Sequence, residues 1–265
     1  MQETKSKNLA IMSFMHITTL QLNIERGRFL KSLISYILEK KFTILTFQEV
    51  SSGYYSYNNK NCFQFLKDNL PDYFGVLVVN FRLKNDKNSF VGNATFIRKS
   101  FSVTSHQNIF LKPYGEFDKS INASEHATSA SIIEIYYKNL AVTLINTHLA
   151  WSPTSKDTDY KIKQASVLAS YIAQIKTPYI LSGDFNVDQS TLVIQFFNQL
   201  GNNLINTHHI KNTLNPKTHR LTHLFPKGIA VDYIFISHDI KVRSFKVIKR
   251  KLSDHFALSL ACTIK

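Results

Sequence analysis

The chain contains few of the residues that disulfide-rich or zinc-binding proteins depend on. Its 265 residues include only two cysteines, six prolines, eight glycines and one tryptophan. Cys62 and Cys262 show no metal-type spacing and no framework of pairs. We therefore exclude a disulfide scaffold and expect two reduced thiols within the core.

Long apolar runs are also missing, and no stretch approaches the roughly 20 residues of a transmembrane helix. The segment 9–22 is interrupted by polar residues and has no convincing signal-peptide cleavage site. We expect residues 1–15 to form a loose leader into the first strand. The missing signal favours a cytoplasmic location, and export by a signal-less route is the alternative.

Acidic residues are scarce, with 18 Asp and Glu against 32 Lys and Arg, for a net charge of +14. Such a balance favours a polyanionic partner, either nucleic acid or an acidic membrane surface. A general composition bias explains it equally well, because the basic residues are scattered. A hydrophobic content of 44% indicates a folded core, and the length suits one domain over 1–265, which we expect to be monomeric.

Hydrophobic periodicity predicts many strands and few long helices. The predicted helices are 27–41, 62–70, 160–175 and about 191–200. The predicted strands are 16–24, 42–47, 73–82, 90–97, 101–110, 129–137, 140–146, 179–184, 231–237, 240–248 and 256–264. Segments 51–61 and 206–226 are expected to be loops, 112–125 an irregular excursion, and Lys138-Asn139 a hairpin turn. This pattern indicates two packed sheets flanked by helices.

The most informative motif is Gly183-Asp184-Phe185-Asn186, which directly follows the apolar run 179–181. A buried strand that ends in this way delivers a carboxylate and an amide to one point of a cleft. The glycine leaves room for a close approach of substrate or backbone. The carboxylate can orient a water molecule, and the amide can donate to a phosphoryl oxygen.

Further polar residues lie at the ends of other predicted strands, next to apolar runs. These are Asn23, Glu25, Gln48, Glu49, Asn146, His148, Asp232, Asp254 and His255. A buried carboxylate is costly unless it is paired or metal-bound, so the repeated placement predicts one shared polar cleft. Oxygen ligands without cysteine suit Mg²⁺, with Mn²⁺ as the alternative, and point to metal-assisted hydrolysis of phosphoesters.

In their order along the chain, these motifs resemble the endonuclease/exonuclease/phosphatase superfamily, which has the deoxyribonuclease-I-like fold. The resemblance runs from about Ile17 to Ala261 and is nearest to small bacterial members with unassigned substrates. In those members a Thr-Trp-Ser/Thr-Pro stretch follows the histidine, and here Ala150-Trp151-Ser152-Pro153 stands there. The resemblance implies a four-layer α/β/β/α sandwich and cleavage of phosphoester bonds that depends on a divalent metal.

The same resemblance implies a role for each matched residue. Glu49 would be the principal metal ligand, with Asn23 beside it and Asp254 supporting the metal or its water shell. Asp184 would activate the attacking water, and Asn186 would bind the scissile phosphate, together with His148 and Asn23. Asp232 would orient the ring of His255, in a pair that competes with Asp184 for the role of general base. His148 would contact the phosphate or assist the leaving oxygen.

Some positions depart from the family pattern. Some members carry an acid where Glu25 stands and others do not, so its role is open. The segment 124–129 lacks the arginine that many relatives have, and His126 is the candidate replacement. Val187-Asp188 and 231–234 do not match the inositol-polyphosphate phosphatases, and Asn146-Thr147-His148 is unlike the usual apurinic endonucleases.

Two loops outside these motifs carry unusual side chains. In the histidine-rich loop, His219 and His223 are four residues apart, but a zinc site is disfavoured by the prolines that bracket the segment. A loop near the substrate is the preferred interpretation, with Arg220 and Lys227 as candidate phosphate contacts. Tyr54, Tyr55 and Tyr57 suit base stacking or lipid headgroups, or simply a covered surface loop.

We therefore expect a divalent-metal-dependent phosphodiesterase, with a nuclease as the preferred reading. The enzyme alternative is a phospholipid or sphingomyelin hydrolase, since tyrosines and basic charge also suit anionic membranes. The non-enzymatic alternative is an anion-binding module on an inactive scaffold. That alternative is disfavoured because the matched positions all hold competent residues.

Overall fold

The chain forms two β-sheets in a computed structural model that describes residues 14–119 and 126–265. The strands are β1 (Met15–Asn23), β2 (Ile44–Ser52), β3 (Tyr73–Leu83), β4 (Asp86–Arg98), β5 (Ser102–Lys112), β6 (Gly115–Phe117), β7 (Thr128–Tyr137), β8 (Leu140–His148), β9 (Tyr179–Asp184), β10 (Asn202–Asn203), β11 (Asp232–Ile236), β12 (Lys241–Ile248) and β13 (Ala257–Ile264). The helices are α1 (Leu30–Lys40), α2 (Cys62–Asn69), α3 (Asp159–Ile172), α4 (Leu192–Asn198) and α5 (Leu204–Thr207). Short 3₁₀ turns include Glu25–Gly27 and Gly53–Tyr55.

Both sheets mix parallel and antiparallel pairs. The seven-stranded sheet has the order β12-β13-β1-β2-β4-β3-β6, and the six-stranded sheet has the order β10-β11-β9-β8-β7-β5. The parallel pairs β1–β2 and β8–β9 lie in the centres of the two sheets. The polar motifs lie towards the carboxyl ends of these four strands, with Asn23 on β1, Glu49 on β2, His148 on β8 and Asp184 on β9.

Side-chain alternation along the strands builds the layers. On β1, Leu20 and Leu22 pack with the buried faces of α1 and α2, whereas Ile17 belongs to the apolar cluster of the other sheet. On the far side, α3 and α4 cover the six-stranded sheet with residues such as Leu168 and Phe197. The predicted α/β/β/α sandwich is confirmed, because each sheet buries one face against helices and the other against its partner sheet.

The layer between the sheets becomes polar towards the carboxyl ends of β1 and β2. Gln21 donates from Nε2 to Gln48 Oε1 at 2.9 Å, and Gln48 donates to Asn146 Oδ1 at 2.7 Å. Thr46 and Ser182 share a hydrogen bond of 2.9 Å across the two sheets. These groups are buried, and mutual hydrogen bonds compensate much of the cost of removing them from water.

Most predicted elements are present, with shifted ends. The hairpin at Lys138-Asn139 is confirmed by the pairing of Tyr137 with Leu140, and both cysteines are buried free thiols. Helix α1 begins at Leu30 rather than residue 27, because Gly27 has a φ of +85° within a 3₁₀ turn. Helices α3 and α4 are shorter than predicted and end at residues 172 and 198.

The interpretation of residues 51–61 as loop was wrong in part. Strand β2 continues to Ser52, and two 3₁₀ turns follow it. In the same way, 112–125 contains the short strand β6, and 206–226 begins inside α5 and contains a 3₁₀ turn. Residues 120–125 of that excursion and 1–13 of the expected leader lie outside the described residues, and Met15 already belongs to β1. No described helix has the length and apolar character needed to cross a bilayer.

Candidate active site

Strand β9 delivers Asp184 between two neighbouring strands. His148 at the end of β8 and Asp232 at the start of β11 are its register partners on either side. Gly183 allows this packing, because a Cβ there would lie 2.0 Å from the carbonyl oxygen of Thr147. Of the two expectations for this glycine, the structure shows the close approach of the backbone, that of Thr147 on β8, rather than of a substrate.

Asn186 follows Asp184 in a left-handed conformation, with a φ of 54°. Its backbone N–H donates to Asp184 Oδ1 at 2.9 Å, which turns the chain back on itself. Its side-chain Nδ2 lies 3.0 Å from His148 Nε2 and donates to Leu149 O at 3.0 Å. Asparagine adopts the left-handed region more readily than most other residues, which suits it to this turn.

His255 lies between two carboxylates. Its Nδ1 is 2.8 Å from Asp232 Oδ2, and its Nε2 is 3.9 Å from Asp184 Oδ2. Burial alone would lower the pKa of His255, but the adjacent Asp232 raises it well above its usual value. Burial and the nearby Asp232 raise the pKa of the Asp184 carboxyl.

Glu49 reaches the cleft because β2 bulges. Pairing with β4 shifts between Phe47 and Val50, so Gln48 and Glu49 together oppose one residue of β4, and Glu49 has a φ of 54°. Burial opposes ionisation of this carboxyl, but Arg26, whose Nε lies 3.5 Å from Oε2, acts together with His148, Asn23 and His255 to outweigh burial and lower the pKa of Glu49.

Three carboxylates gather on the side of the cleft that Glu49 occupies. Glu25, Glu49 and Asp254 line one cavity. Burial raises the pKa of Asp254 to about 7, and repulsion from Glu49 and Glu25 adds to this against the opposing effect of His255. Glu25 Oε2 is buried without a hydrogen-bond partner among the residues described. Carboxylate oxygens are ligands that a hard divalent cation prefers, although Arg26 and Arg28 already pair with Glu49 and Glu25.

Asn23 connects the acidic side of the cleft to Asp184. Its Nδ2 donates to Asp184 Oδ2 at 3.0 Å and to Glu49 Oε1 at 3.3 Å. Its Oδ1 accepts from the backbone N–H of Glu25 at 3.0 Å. In this arrangement Asn23 orients two carboxylates. To coordinate a metal ion through Oδ1, its side-chain amide would have to rotate.

The structure brings most of the predicted site residues to one cavity of about 270 Å³. Those that line it are Asn23, Glu49, His148, Asp184, Asn186, Asp254 and His255. Asp232 is buried directly behind His255. Arg220 lines an adjoining cavity instead, and Lys227 lines a separate depression beside Lys156 and Lys211.

The candidate replacement for the family arginine, His126, also lines the main cavity. Its ring stacks on Phe81, with centroids 4.1 Å apart. Burial, with a smaller contribution from Arg26, lowers the pKa of His126 to about 4. It is therefore a neutral imidazole near neutral pH and does not reproduce the fixed positive charge of an arginine.

Three residues near the site were not singled out for it from the sequence. His219 lies 3.9 Å from Asp254 Oδ2 and edge-on to His255, so a histidine of the 206–226 loop belongs to the site. His223 instead lies exposed at the surface, which separates the pair that suggested zinc. Gln21 donates to Asp232 Oδ1 at 3.1 Å, and the two-residue spacing from Asn23 was a usable signal for this shared face.

The third is Lys161 of α3, whose side chain is fully buried. Its Nζ donates to Asn186 O at 2.9 Å, Ser152 Oγ at 2.5 Å and Lys156 O at 3.3 Å. Burial lowers the pKa of this ammonium group to about 8. Nothing in the local sequence distinguishes it from an exposed helix lysine.

A comparison with known proteins agrees with this geometry. A profile of the Endonuclease/Exonuclease/phosphatase family matches residues 20–255. A probable CCR4-Not complex 3′-5′-exoribonuclease subunit Ccr4 of Vairimorpha ceranae (strain BRL01) is 28% identical over 252 residues, covering 81% of this chain. The matched region spans about half of that relative, 50% of its length.

Solved structures show the same fold. An endonuclease/exonuclease/phosphatase family protein from Bacteroides thetaiotaomicron superposes with a TM-score of 0.72 at 17% identity, covering 96% of this chain and 99% of that one. A mannosyl-6-phosphatase of Bacteroides thetaiotaomicron VPI-5482 gives 0.71 at 16% identity, with 93% and 99% covered. The chain therefore belongs to the endonuclease/exonuclease/phosphatase family, and membership supports phosphoester hydrolysis.

Proposed function

We propose that this member of the endonuclease/exonuclease/phosphatase family is a divalent-cation-dependent phosphodiesterase that cleaves nucleic acid. The observation that carries the proposal is the convergence of Asp184, Asn186, His148 and His255 in one cleft with the carboxylates of Glu49 and Asp254. An anion-binding module would have no use for buried acids there, because carboxylates repel phosphate.

Two observations favour nucleic acid over other phosphoesters. The net charge of +14 favours association with a phosphate backbone. The curated relative from Vairimorpha ceranae is named as a probable exoribonuclease. The phosphatase from Bacteroides thetaiotaomicron shares the fold alone at its level of identity.

Glu49 and Asp254 would hold the cation, with Asn23 orienting Glu49 and with Mg²⁺ favoured over Mn²⁺ by the oxygen-rich donor set. When bound, such a cation neutralises charge that develops on the phosphoryl group. Repulsion among Glu25, Glu49 and Asp254 is the local reason for binding it.

Asp184 is the proton acceptor in our proposal. The Nδ1 of His255 is hydrogen-bonded to Asp232 at 2.8 Å, whereas its Nε2 lies 3.9 Å from Asp184 Oδ2, so the ring meets Asp184 through charge rather than through a hydrogen bond. Asp184 Oδ2 faces the cleft and receives N–H support from Asn23. His255 therefore steadies the Asp184 carboxylate, and Asp232 keeps the ring in place.

Asn186 and His148 would bind the phosphoryl group. Both amide hydrogens of Asn186 are engaged, one by His148 and one by Leu149 O. A phosphoryl oxygen that enters the cleft can take over the hydrogen directed at His148 without disturbing the turn. That exchange frees Nε2 of His148 beside the leaving oxygen, where the ring can donate a proton once Nε2 has taken one up from solvent.

A substrate panel tests the proposal. Supercoiled plasmid, single-stranded DNA, RNA, sphingomyelin, phosphoinositides and mannose 6-phosphate would be incubated with Mg²⁺, Mn²⁺ or chelator. Asp184→Ala and His255→Ala proteins would run beside the wild type. We expect cleavage of a nucleic acid that needs the cation and is lost in both variants.

Other outcomes would overturn the proposal in defined ways. Turnover of lipid or sugar phosphate alone would reject nucleic acid as the substrate. Binding without turnover, unaffected by chelator or by either substitution, would identify an inactive module.

A further inference from the structure

A second cavity adjoins the main cleft and has a different chemical character. It measures about 680 Å³ and shares Glu49, Asp254 and Trp151 with the main cavity. Its remaining wall includes Tyr54 and Tyr57. A substrate held at the carboxylates therefore has space beside it that is bounded by aromatic rings.

The aromatic rings are held in place by their neighbours. Tyr54 is 50% exposed and packs edge-on against the buried Tyr55, which in turn packs edge-on against Phe81. Tyr57 has the guanidinium of Arg28 over its ring at 5.7 Å, and its hydroxyl lies 3.5 Å from Glu25 Oε1. Fixed rings of this kind offer stacking surfaces at a small entropic cost.

Positive charge accompanies the rings. Arg220 lines the cavity, is exposed and forms no ion pair within the described part of the chain. Lys119 Nζ lies 4.9 Å from the centroid of the Tyr54 ring. Aromatic rings accompanied by cations are the pattern by which proteins hold single-stranded nucleic acid.

We propose that this second cavity is a nucleobase-binding subsite. This proposal rests on the proposed function and specifies single-stranded nucleic acid as the substrate class. The base next to the scissile phosphate would stack on Trp151 and Tyr57, and Arg220 would contact a flanking phosphate. A lipid headgroup fits less well, because the rings line a concavity and Tyr55 is buried, whereas membrane-dipping aromatics protrude.

Trp151 provides a direct readout because it is the only tryptophan of the chain. The Asp184→Asn protein, which we expect to bind without turnover, would be titrated with a single-stranded oligonucleotide and with an abasic strand of equal length and charge. We expect the bases to quench Trp151 fluorescence, and the abasic strand to bind about 10-fold more weakly. Tyr57→Ala should weaken the base-containing strand about 10-fold, whereas Tyr114→Ala, an exposed tyrosine outside the cavity, should not.

Failure of this subsite and failure of the proposed function give different results. Equal affinity for the two strands, with no effect of Tyr57→Ala, would overturn the subsite even if the enzyme cleaves both. Base-dependent quenching without cleavage by the wild-type protein would support the subsite and reject the proposed reaction. In an active enzyme, Tyr57→Ala should raise KM for base-containing strands and leave KM for abasic strands unchanged.

Discussion

The two sheets contribute unlike halves to the cleft. The six-stranded sheet supplies His148, Asp184 and Asp232, and the adjacent Asn186, in a closely hydrogen-bonded group that is largely buried. The seven-stranded sheet supplies Asn23 and Glu49, and the turn before β13 supplies Asp254. On this second side three carboxylates line one cavity, and one buried oxygen of Glu25 lacks a hydrogen-bond partner among the residues described.

This difference assigns different tasks to the two halves. A satisfied network fixes the positions of the groups that handle protons and the phosphoryl group. Three acids that line one cavity provide negative potential, which attracts a cation. The contrast is open to test on each side separately.

The largest effect is expected at Asp184. Asp184→Asn keeps the shape of the side chain and removes the proton acceptor, so we expect kcat to fall about 10³-fold. Asparagine offers only one acceptor oxygen to the N–H groups of Asn23 and Asn186, so urea titration would confirm that the variant remains folded. Asp188→Asn, which alters an ion pair with Lys156 outside the cleft, is the matched control and should retain activity. Full activity in Asp184→Asn would remove the proton-handling role from this half.

The next largest effect is expected at Lys161, whose Nζ donates to the backbone oxygen of Asn186. The folded-state pKa of Lys161 is about 8 against its usual 10.5, so unfolding takes up a proton between these pH values. Raising the pH through this window therefore stabilises the folded wild type. Relative to Lys161→Met, we expect its free energy of unfolding to gain about 3 kcal/mol between pH 8 and pH 10.5.

Urea titrations across that pH range would measure the gain. Lys163→Met, on the exposed face of the same helix, is the control and should show no such pH-dependent difference. If the difference in free energy of unfolding between wild type and Lys161→Met did not change with pH, the buried ammonium group would have an ordinary pKa.

The smallest effect is expected on the acidic half. Glu49→Gln keeps a hydrogen-bonding oxygen for Asn23 and removes one negative charge. We expect the Mg²⁺ concentration for half-maximal activity to rise about 10-fold, with less effect on kcat at saturating Mg²⁺. Glu39→Gln, an exposed acid paired with Arg250 and Lys40, is the control. An unchanged Mg²⁺ titration in Glu49→Gln would contradict the division between the halves.

The elements of the fold were largely predictable because their cause is local. Alternation along β1 and the apolar face of α1 place each element and its buried side. The bulge in β2 was not predictable, since it depends on pairing with Gly92 and Val91 of a distant strand. The predicted strand therefore ended at Phe47, whereas the observed strand bends at the bulge and continues to Ser52.

The candidate site divides in the same way. Asp184 and Asn186 were identifiable from a motif at the end of an apolar run. The other site residues were identified because they too lie at the ends of predicted strands. His219 and Lys161 gave no such signal, because a histidine in a polar loop and a lysine in a helix are usually solvent-exposed. Their roles come from contacts with Asp254 and Asn186, which are distant in the sequence.

The amino-acid order by itself determined which strands carry polar ends, which faces of the helices are buried, and which residue types are available for the chemistry. Those properties depend on side chains within a few positions of one another. Tertiary structure alone decided that Glu25, Glu49 and Asp254 line one cavity while Asp184 becomes enclosed between His148, Asp232 and His255. Electrostatic energy depends on distance and burial in space, and neither quantity exists until the two sheets have packed.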